Sequence, residues 1–267
     1  MTFPIFNLEK AVLLMTAAHG AYYEKSEIND ILEPHDLELY HFIDNPETDT
    51  QGYIAIDDKH LVLAFRGTEP DSFRDWFTNA KIHFKKYPLI DKWFRKPKVH
   101  SGFLEAYESI QEEVKTKISE LLKEKDFQEI LITGHSLAAA IATLAALDLT
   151  ISLEEDVTLY TFGGPYVGDK WFVRYFNKKV KNTFRITNAG DLAPYFPPRV
   201  LGYHHIETEV YIDDNNNLNI NPSHDRPFYE SLEDLFNFIT GEAGKNHNDK
   251  TYLNLLKTLL ETKETEK

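Results

Sequence analysis

One stretch near the middle of the chain, ILITGHSLAAAIATLAAL at residues 130–147, constrains the fold more than any other. Its first residues are apolar or β-branched, as in a buried strand, and the residues after GHS are small and apolar, as in a buried helix. Only a sharp turn fits between them, with Ser136 at its apex. A short apolar strand followed at once by an apolar helix is typical of a parallel sheet covered by helices.

The rest of the chain repeats this alternation. Helical spacing of apolar residues is found over 8–23, and a long amphipathic helix is expected from residue 101 onward. Short apolar strands are predicted at GYIAID, HLVLAFRGT, EILIT, DVTLYTF and NTFRITN, with a hairpin at TEVYIDDNNNLNINP and a last helix at TYLNLLKTLL. We therefore predict one α/β domain over residues 1–267, with a mostly parallel central sheet flanked by helices.

Composition excludes several classes of protein. The formal net charge of −14 repels phosphate backbones, so we expect no nucleic-acid partner and no tight binding to anionic membranes. The chain has no cysteine, which excludes disulfides and thiolate chemistry. The start MTFPIFNLEK lacks the positive charge of a signal peptide, so a cytoplasmic protein is expected, with leaderless secretion as the alternative. No feature of the sequence determines an oligomeric state.

Ser136 is the first candidate for chemistry. A strand–turn–helix exposes a serine hydroxyl above the N-terminus of a helix, where free N–H groups favour a developing oxyanion. Serine becomes a nucleophile only when a base takes its proton and an acid orients that base. The alternative is that Ser136 simply caps the helix, as serine often does.

Candidates for the acid and the base follow in chain order. Asp191 comes just after the strand FRITN, and YHHI offers His204 and His205. Ser, Asp, His is the order expected for this kind of site. The alternatives are a turn cap for Asp191 and exposed polar residues for the two histidines. Weaker candidates, near turns or the C-terminus, are Asp213, Asp214, Asp225, His224 and His247.

Two further loops are relevant to such a site. FRGT ends an early strand, where Gly67 permits close backbone approach and Thr68 offers an N–H and a hydroxyl to an oxyanion; the alternative is an ordinary turn. DDNNN lacks the spaced carboxylates and final glutamate of a calcium loop, so we predict a hairpin turn there. No metal and no organic cofactor is expected.

Six landmarks in order resemble the class 3, or fungal-type, lipase family of the α/β-hydrolase superfamily. They are VLAFRGT with DWFTN, HSGFLEAY, ITGHSLAAAIATLAA, YTFGGPYVGD, RITNAGDLAPYFPP and HIETEVYI. The resemblance covers roughly residues 8–212. The resemblance implies an α/β-hydrolase fold in which Ser136 is the nucleophile, Asp191 the acid and His205 the base. It further implies that the N–H groups of Thr68 and Leu137 form the oxyanion hole.

The resemblance also assigns the remaining histidines and a lid. His135 would fill the elbow and His100 would be structural. Residues 71–93 resemble the lid region, with Phe73, Trp76 and Phe77 as candidates for contact with acyl chains; further aromatic and apolar residues there are Ile82, Phe84 and Tyr87. The alternative is that several of these aromatics belong to the core.

The sequence departs from the family pattern at two places. Ala138 and Ala139 replace the glycines that usually follow the nucleophile, and a methyl there costs about 1–3 kcal/mol if it overpacks the turn. We expect the elbow to be intact. Glu207 stands where relatives often have a small residue, and a carboxylate near His205 would raise the pKa of that histidine.

The sequence thus predicts a hydrolase that cleaves carboxylic esters of acyl lipids through an acyl-enzyme, with an acyl-ester lipid as substrate and transient contact with a lipid–water interface. Phospholipase A1 and feruloyl-type esterase activities would use the same residues. The alternative from another class is a lipase-like domain without catalysis that serves in binding or signalling, because fold alone does not imply function.

Overall fold

The computed structural model describes residues 5–67, 83–90, 96–222 and 246–265. The helices in these ranges are α1 Leu8–Gly20, α2 Ile28–Leu32, α3 Ser101–Glu124, α4 Leu137–Ser152, α5 Lys170–Lys179 and α6 Asp249–Thr265. The strands are β1 Glu38–Asn45, β2 Thr50–Ile56, β3 His60–Phe65, β4 Phe84–Lys86, β5 Lys98–His100, β6 Glu129–His135, β7 Val157–Phe162, β8 Gly168–Asp169, β9 Asn182–Asn188, β10 Tyr203–His204, β11 Glu209–Ile212 and β12 Leu218–Ile220.

The central sheet has eight strands in the order β1-β2-β3-β6-β7-β9-β11-β12. Strands β3, β6, β7, β9 and β11 pair in parallel, and antiparallel pairs lie at the two edges. The prediction of a mostly parallel sheet is confirmed. Because parallel strands share one direction, their carboxyl ends meet at one edge of the sheet, which is where α/β proteins place ligand sites.

Both faces of the sheet are covered by helices, as predicted. Along β3, Leu61, Leu63 and Phe65 pack with α3, α4 and α5, whereas Val62 and Ala64 pack with α1 and α6. Successive side chains of a strand point to opposite faces, so a strand buried on both faces must be apolar throughout. That requirement explains the unbroken apolar runs in the sequence.

Helix α4 is buried almost all round. Its residues from Ala138 to Leu149 are all buried, including the charged Asp148. The Asp148 carboxylate accepts hydrogen bonds from the Tyr107 hydroxyl at 2.7 Å and from the Gln111 amide at 2.6 Å, both on α3. A helix that is apolar on every side belongs in the core, and its alanines let the sheet and α3 approach closely.

A second, smaller sheet has the order β10-β8-β5-β4 and lies beside the main one. The predicted hairpin is also present, since β11 and β12 pair antiparallel. In its turn the Asp213 carboxylate accepts from the N–H groups of Asn215 at 2.9 Å and Asn217 at 2.8 Å. The DDNNN segment therefore has the turn chemistry that the sequence indicates.

Within the described ranges, no helix combines the length and the apolar character that crossing a bilayer requires.

Candidate active site

Ser136 lies between β6 and α4 in a backbone conformation that few residues adopt. Its φ of 60° and ψ of −127° are rarely occupied by residues other than glycine. Its side chain makes no capping hydrogen bond to α4, which an ordinary N-cap serine would make. The strained turn is the geometry of a nucleophile elbow, so the capping alternative does not describe this serine.

The Ser136 hydroxyl contacts the imidazole of His247. Oγ lies 2.7 Å from His247 Nε2, and Nδ1 of the same ring lies 3.0 Å from both carboxylate oxygens of Asp191. An ionised carboxylate only accepts hydrogen bonds, so Nδ1 carries a proton and Nε2 is left to accept one from the serine. Serine, histidine and aspartate therefore form one hydrogen-bonded chain in the arrangement of a catalytic triad.

The Asp191 carboxylate is fully buried and well supplied with donors. Besides His247, it accepts from the backbone N–H of Ala193 at 2.9 Å and from the Tyr252 hydroxyl at 2.6 Å. Burial, and next the negative charge of Asp191, raise the pKa of Tyr252 well above its usual value. Tyr252 therefore keeps its proton and acts as a donor.

Gly163, which follows β7, makes room for this arrangement. It has a φ of +57°, and a Cβ at this position would lie 2.8 Å from Asp191 Oδ2 and 3.1 Å from two ring atoms of His247. Only glycine satisfies both the conformation and the space. The first glycine of the FGGP motif is therefore part of the site.

The structure contradicts the assignment of the base to His205. His205 follows β10 at the edge of the small sheet, where its Nε2 lies 2.6 Å from the carbonyl oxygen of Pro194 and its ring stacks on Tyr166 at 3.8 Å. The hydrogen bond to Ser136 is made by His247 instead. Glu207 was expected to raise the pKa of the base because it is close to His205 in sequence. That expectation no longer applies when His247 is the base.

Chain order alone could not separate the two histidines, since both follow Asp191. The distinguishing signal is position relative to the sheet. His205 precedes β11 and is held in the small sheet, whereas His247 follows the last strand of the main sheet and stands two residues before α6. A base is delivered to the carboxyl edge from a loop after the strands, so the histidine next to a C-terminal helix is the better candidate.

Only some of the other predicted site residues lie in the described part of the chain. Leu137 begins α4 beside Ser136, so its N–H lies at the N-terminus of a helix. Thr68, Phe73, Trp76, Phe77 and Ile82 lie outside the described residues. Of the remaining aromatics of the lid-like segment, Tyr87 is buried and Phe84 stacks on Tyr203 at 4.2 Å, so both belong to the packed body of the protein.

The two extra methyl groups of the elbow each face a glycine. A Cβ on Gly134 would lie 2.9 Å from Ala138 Cβ, and a Cβ on Gly164 would lie 2.6 Å from Ala139 Cβ. Both alanines are fully buried without displacing Ser136 from His247. The absence of side chains on Gly134 and Gly164 leaves room for the two methyl groups, so the elbow keeps its geometry, as expected.

Two other buried histidines have different hydrogen-bond partners. The Tyr22 hydroxyl lies 2.9 Å from Nδ1 of His135. Burial, and next the proximity of His247, lower the pKa of His135 to about 3. His100 accepts from the Gly102 N–H at the start of α3, and burial lowers its pKa to about 4. Both are neutral at physiological pH and hold structure, as the resemblance implied.

Comparison with known proteins places the chain in a family. The family described as Lipase (class 3) matches residues 62–201. Secreted mono- and diacylglycerol lipase A of Penicillium cyclopium is 33% identical over 186 residues, which are 69% of this chain and 59% of the relative. A lipase of Rhizomucor miehei is 33% identical over 63% of this chain and 46% of its own length. The chain thus spans roughly half to three fifths of these relatives.

Solved structures show the same fold. Lipase II from Rhizopus niveus superposes with a TM-score of 0.74 at 25% identity, covering 90% of this chain and 92% of the other. A triacylglycerol lipase whose catalytic centre is described as a serine protease triad superposes with a TM-score of 0.74 at 26% identity, covering 92% and 96%.

Two of the relatives, from Penicillium and Fusarium, are named as secreted lipases, which gives the expectation of a cytoplasmic protein no support. The fold is that of the α/β hydrolases. With the family match over more than half of its residues, the chain belongs to the class 3 lipase family.

Proposed function

We propose that the protein is a serine hydrolase that cleaves carboxylic ester bonds of acyl lipids, with Ser136 as nucleophile, His247 as base and Asp191 as acid. The observation that supports this most directly is the continuous hydrogen-bonded chain from Ser136 Oγ through His247 to Asp191. The similarity to proteins named mono-, di- and triacylglycerol lipases supports the choice of substrate class.

The reaction follows from the positions of the protons. His247 Nε2 accepts the Ser136 proton while Oγ attacks the ester carbonyl, and Asp191 stabilises the imidazolium that forms. The tetrahedral oxyanion is stabilised by the N–H of Leu137 at the start of α4, with the N–H of Thr68 proposed as second donor. His247 then protonates the leaving alcohol. A water molecule, deprotonated by the same nitrogen, releases the fatty acid and regenerates Ser136.

The alternative of a non-catalytic module receives no support from the site. A lipase-like domain that has lost catalysis is free to lose the contacts between nucleophile, base and acid, yet all of them are made here. The strained backbone of Ser136 is also kept, and strain of this kind persists where it serves a site.

A short helical turn after the acid loop exposes two apolar side chains. Val200 is 73% exposed and Leu201 48% exposed, and Arg199 precedes them. The net charge of −14 disfavours anionic lipids, so we propose transient contact with a neutral lipid–water interface through these two side chains. Replacing both by serine should weaken turnover of emulsified triacylglycerol and leave turnover of a dissolved short-chain ester unchanged.

The test is hydrolysis of a chain-length series of p-nitrophenyl esters by the wild type and by Ser136→Ala, His247→Asn and His205→Asn. We expect the first two variants to lose turnover by about three orders of magnitude or more and the third to keep most of it. Folding is matched by circular dichroism. Turnover that survives in His247→Asn but not in His205→Asn would return the base to His205.

Substrate choice within the ester class is measured on diacylglycerol, phosphatidylcholine and methyl ferulate. Preference for the first supports the lipase assignment. Preference for the second or third indicates a phospholipase A1 or a feruloyl-type esterase, which the same triad also permits.

A further inference from the structure

A short hydrogen bond joins the first and last helices of the described chain. His19 Nδ1, in the last turn of α1, lies 2.5 Å from Asp249 Oδ2, in the first turn of α6. The two side chains are only 12% and 14% exposed. Burial alone would raise the pKa of Asp249, but the hydrogen bonds from His19 and from the Lys250 N–H favour the carboxylate, so the pKa of Asp249 is lowered.

Asp249 is two residues from the base. The intervening Asn248 caps α6, since its side chain accepts from the Lys250 N–H at 2.9 Å and its carbonyl from the N–H groups of Thr251 and Tyr252. His247 therefore stands at the rigid start of a helix, and a contact that holds the first turn of α6 also holds the imidazole. On the other side of His247, the Asn246 carbonyl accepts from the Asn188 amide at a longer 3.3 Å.

Helix α1, on the other side of the pair, is fastened to the nucleophile. The Thr133 hydroxyl in β6 donates to the Leu14 carbonyl in α1 at 3.1 Å. Tyr22, just after α1, contacts His135, the residue before Ser136, at 2.9 Å. Ser136 is thus tied to α1 through β6, and His247 is tied to α1 through α6.

We infer that His19 and Asp249 are positioning residues that set the approach of His247 to Ser136 by fastening α6 to α1. This inference rests on the function proposed above. General-base catalysis depends steeply on geometry, and a misplacement of about 1 Å can cost up to a hundredfold in rate. Loss of the pair should therefore act on kcat, because the substrate itself makes no contact with either side chain in this account.

The closing experiment measures kcat and KM on dissolved p-nitrophenyl butyrate. The ring of His19 packs against that of Tyr23, with centroids 5.0 Å apart. His19→Phe keeps this ring contact and removes the hydrogen-bond donor to Asp249. We expect kcat to fall about tenfold with KM within about twofold. His19→Asn restores an N–H near the position of Nδ1 and should recover kcat to within about threefold of the wild type.

The matched control is His41→Phe. His41 and Glu113 form a more exposed histidine–carboxylate pair between β1 and α3, with Nε2 and Oε1 2.7 Å apart. That variant should leave kcat unchanged. Should His19→Phe not fold at the assay temperature, Asp249→Asn is the second variant: it keeps an acceptor for His19 and removes the charge, and kcat should fall by about threefold.

Each outcome decides the inference. A His19→Phe enzyme with a lower melting temperature but wild-type kcat would show that the pair only stabilises the fold. A fall in kcat equal to that of the control would do the same. If the wild type hydrolyses no ester and Ser136 is not labelled by a fluorophosphonate, the proposed function itself has failed, and the positioning role is overturned with it.

Discussion

The hydroxyl of Tyr252 donates a 2.6 Å hydrogen bond to Oδ2 of Asp191, the carboxylate that also accepts from His247. The same hydroxyl accepts from the backbone N–H of Asn188, at the carboxyl end of β9, at 3.1 Å. Tyr252 lies in α6, so it connects the helix that follows the base with the strand that precedes the acid. The acid is therefore held from two sides, by its own loop and by α6.

Tyr252→Phe should lower kcat/KM for a short p-nitrophenyl ester by about tenfold, because a hydrogen bond to a charged group contributes about 1.5–3 kcal/mol and Asp191 would lose one of its donors. The fall is expected mainly in kcat, since Tyr252 acts through Asp191. The control is Tyr53→Phe, which removes an equally buried hydroxyl that donates to the Ala17 carbonyl. If both variants lower kcat alike, the effect belongs to general loosening of the core.

Gly164 and Ala139 should behave as a coupled pair. A Cβ on Gly164 would lie 2.6 Å from that of Ala139, so Gly164→Ala should destabilise the fold by about 1–3 kcal/mol. Adding Ala139→Gly removes the opposing methyl and should recover much of that loss. Urea unfolding of the two single variants and the double variant measures the coupling free energy. Additive effects would show that the two methyl groups do not compete for this space.

Features that depend on residues close together in the chain can be predicted from the sequence, whereas contacts between distant residues cannot. The strand–turn–helix around Ser136 is encoded locally, in an apolar strand, GHS and an apolar helix, so its position and strained turn could be anticipated. Asp191 could be placed because it follows a strand whose direction the alternation of elements determines. These features depend on period and chain order, which one sequence contains.

The base could not be chosen in the same way. His205 and His247 both follow Asp191, and only the three-dimensional path shows that the first is held by Pro194 and Tyr166 while α6 brings the second to Ser136. The contacts of Tyr252 and His19 with distant acids are equally invisible in sequence, because each joins residues far apart in the chain. The pairing of Ala139 with Gly164 has the same origin.

Ala138→Gly, which restores the usual family glycine, should destabilise the protein without improving catalysis. Ala138 lies in the first turn of α4 and is fully buried, and glycine there costs about 1 kcal/mol in helix propensity. The measurement is the urea midpoint together with kcat on p-nitrophenyl butyrate. A kcat that rises severalfold would mean that the Ala138 methyl displaces the N–H of Leu137, the proposed oxyanion donor, although the contact between Ser136 and His247 is undisturbed.

His100 should make the stability of the fold sensitive to acid. Burial, followed by the proximity of His83, lowers its pKa from 6.5 to about 4, so between these values the unfolded chain binds a proton that the folded protein does not. The free energy of unfolding is then largest above pH 6.5 and falls as the pH drops toward 4, by about 3 kcal/mol from this residue.

His100→Asn keeps an acceptor for the Gly102 N–H and removes the titrating ring, so its unfolding free energy should fall less steeply over that window. Urea unfolding at pH 4.5, 5.5, 6.5 and 7.5 gives the slope of the unfolding free energy against pH for the wild type and for His100→Asn. The control is His41→Asn, at a partly exposed histidine. His135, whose pKa is also lowered, contributes a fall of the same sign, so the slope of the His100 variant should be reduced rather than abolished. Equal slopes for His100→Asn and the wild type would show that His100 is protonated equally in the folded and unfolded states.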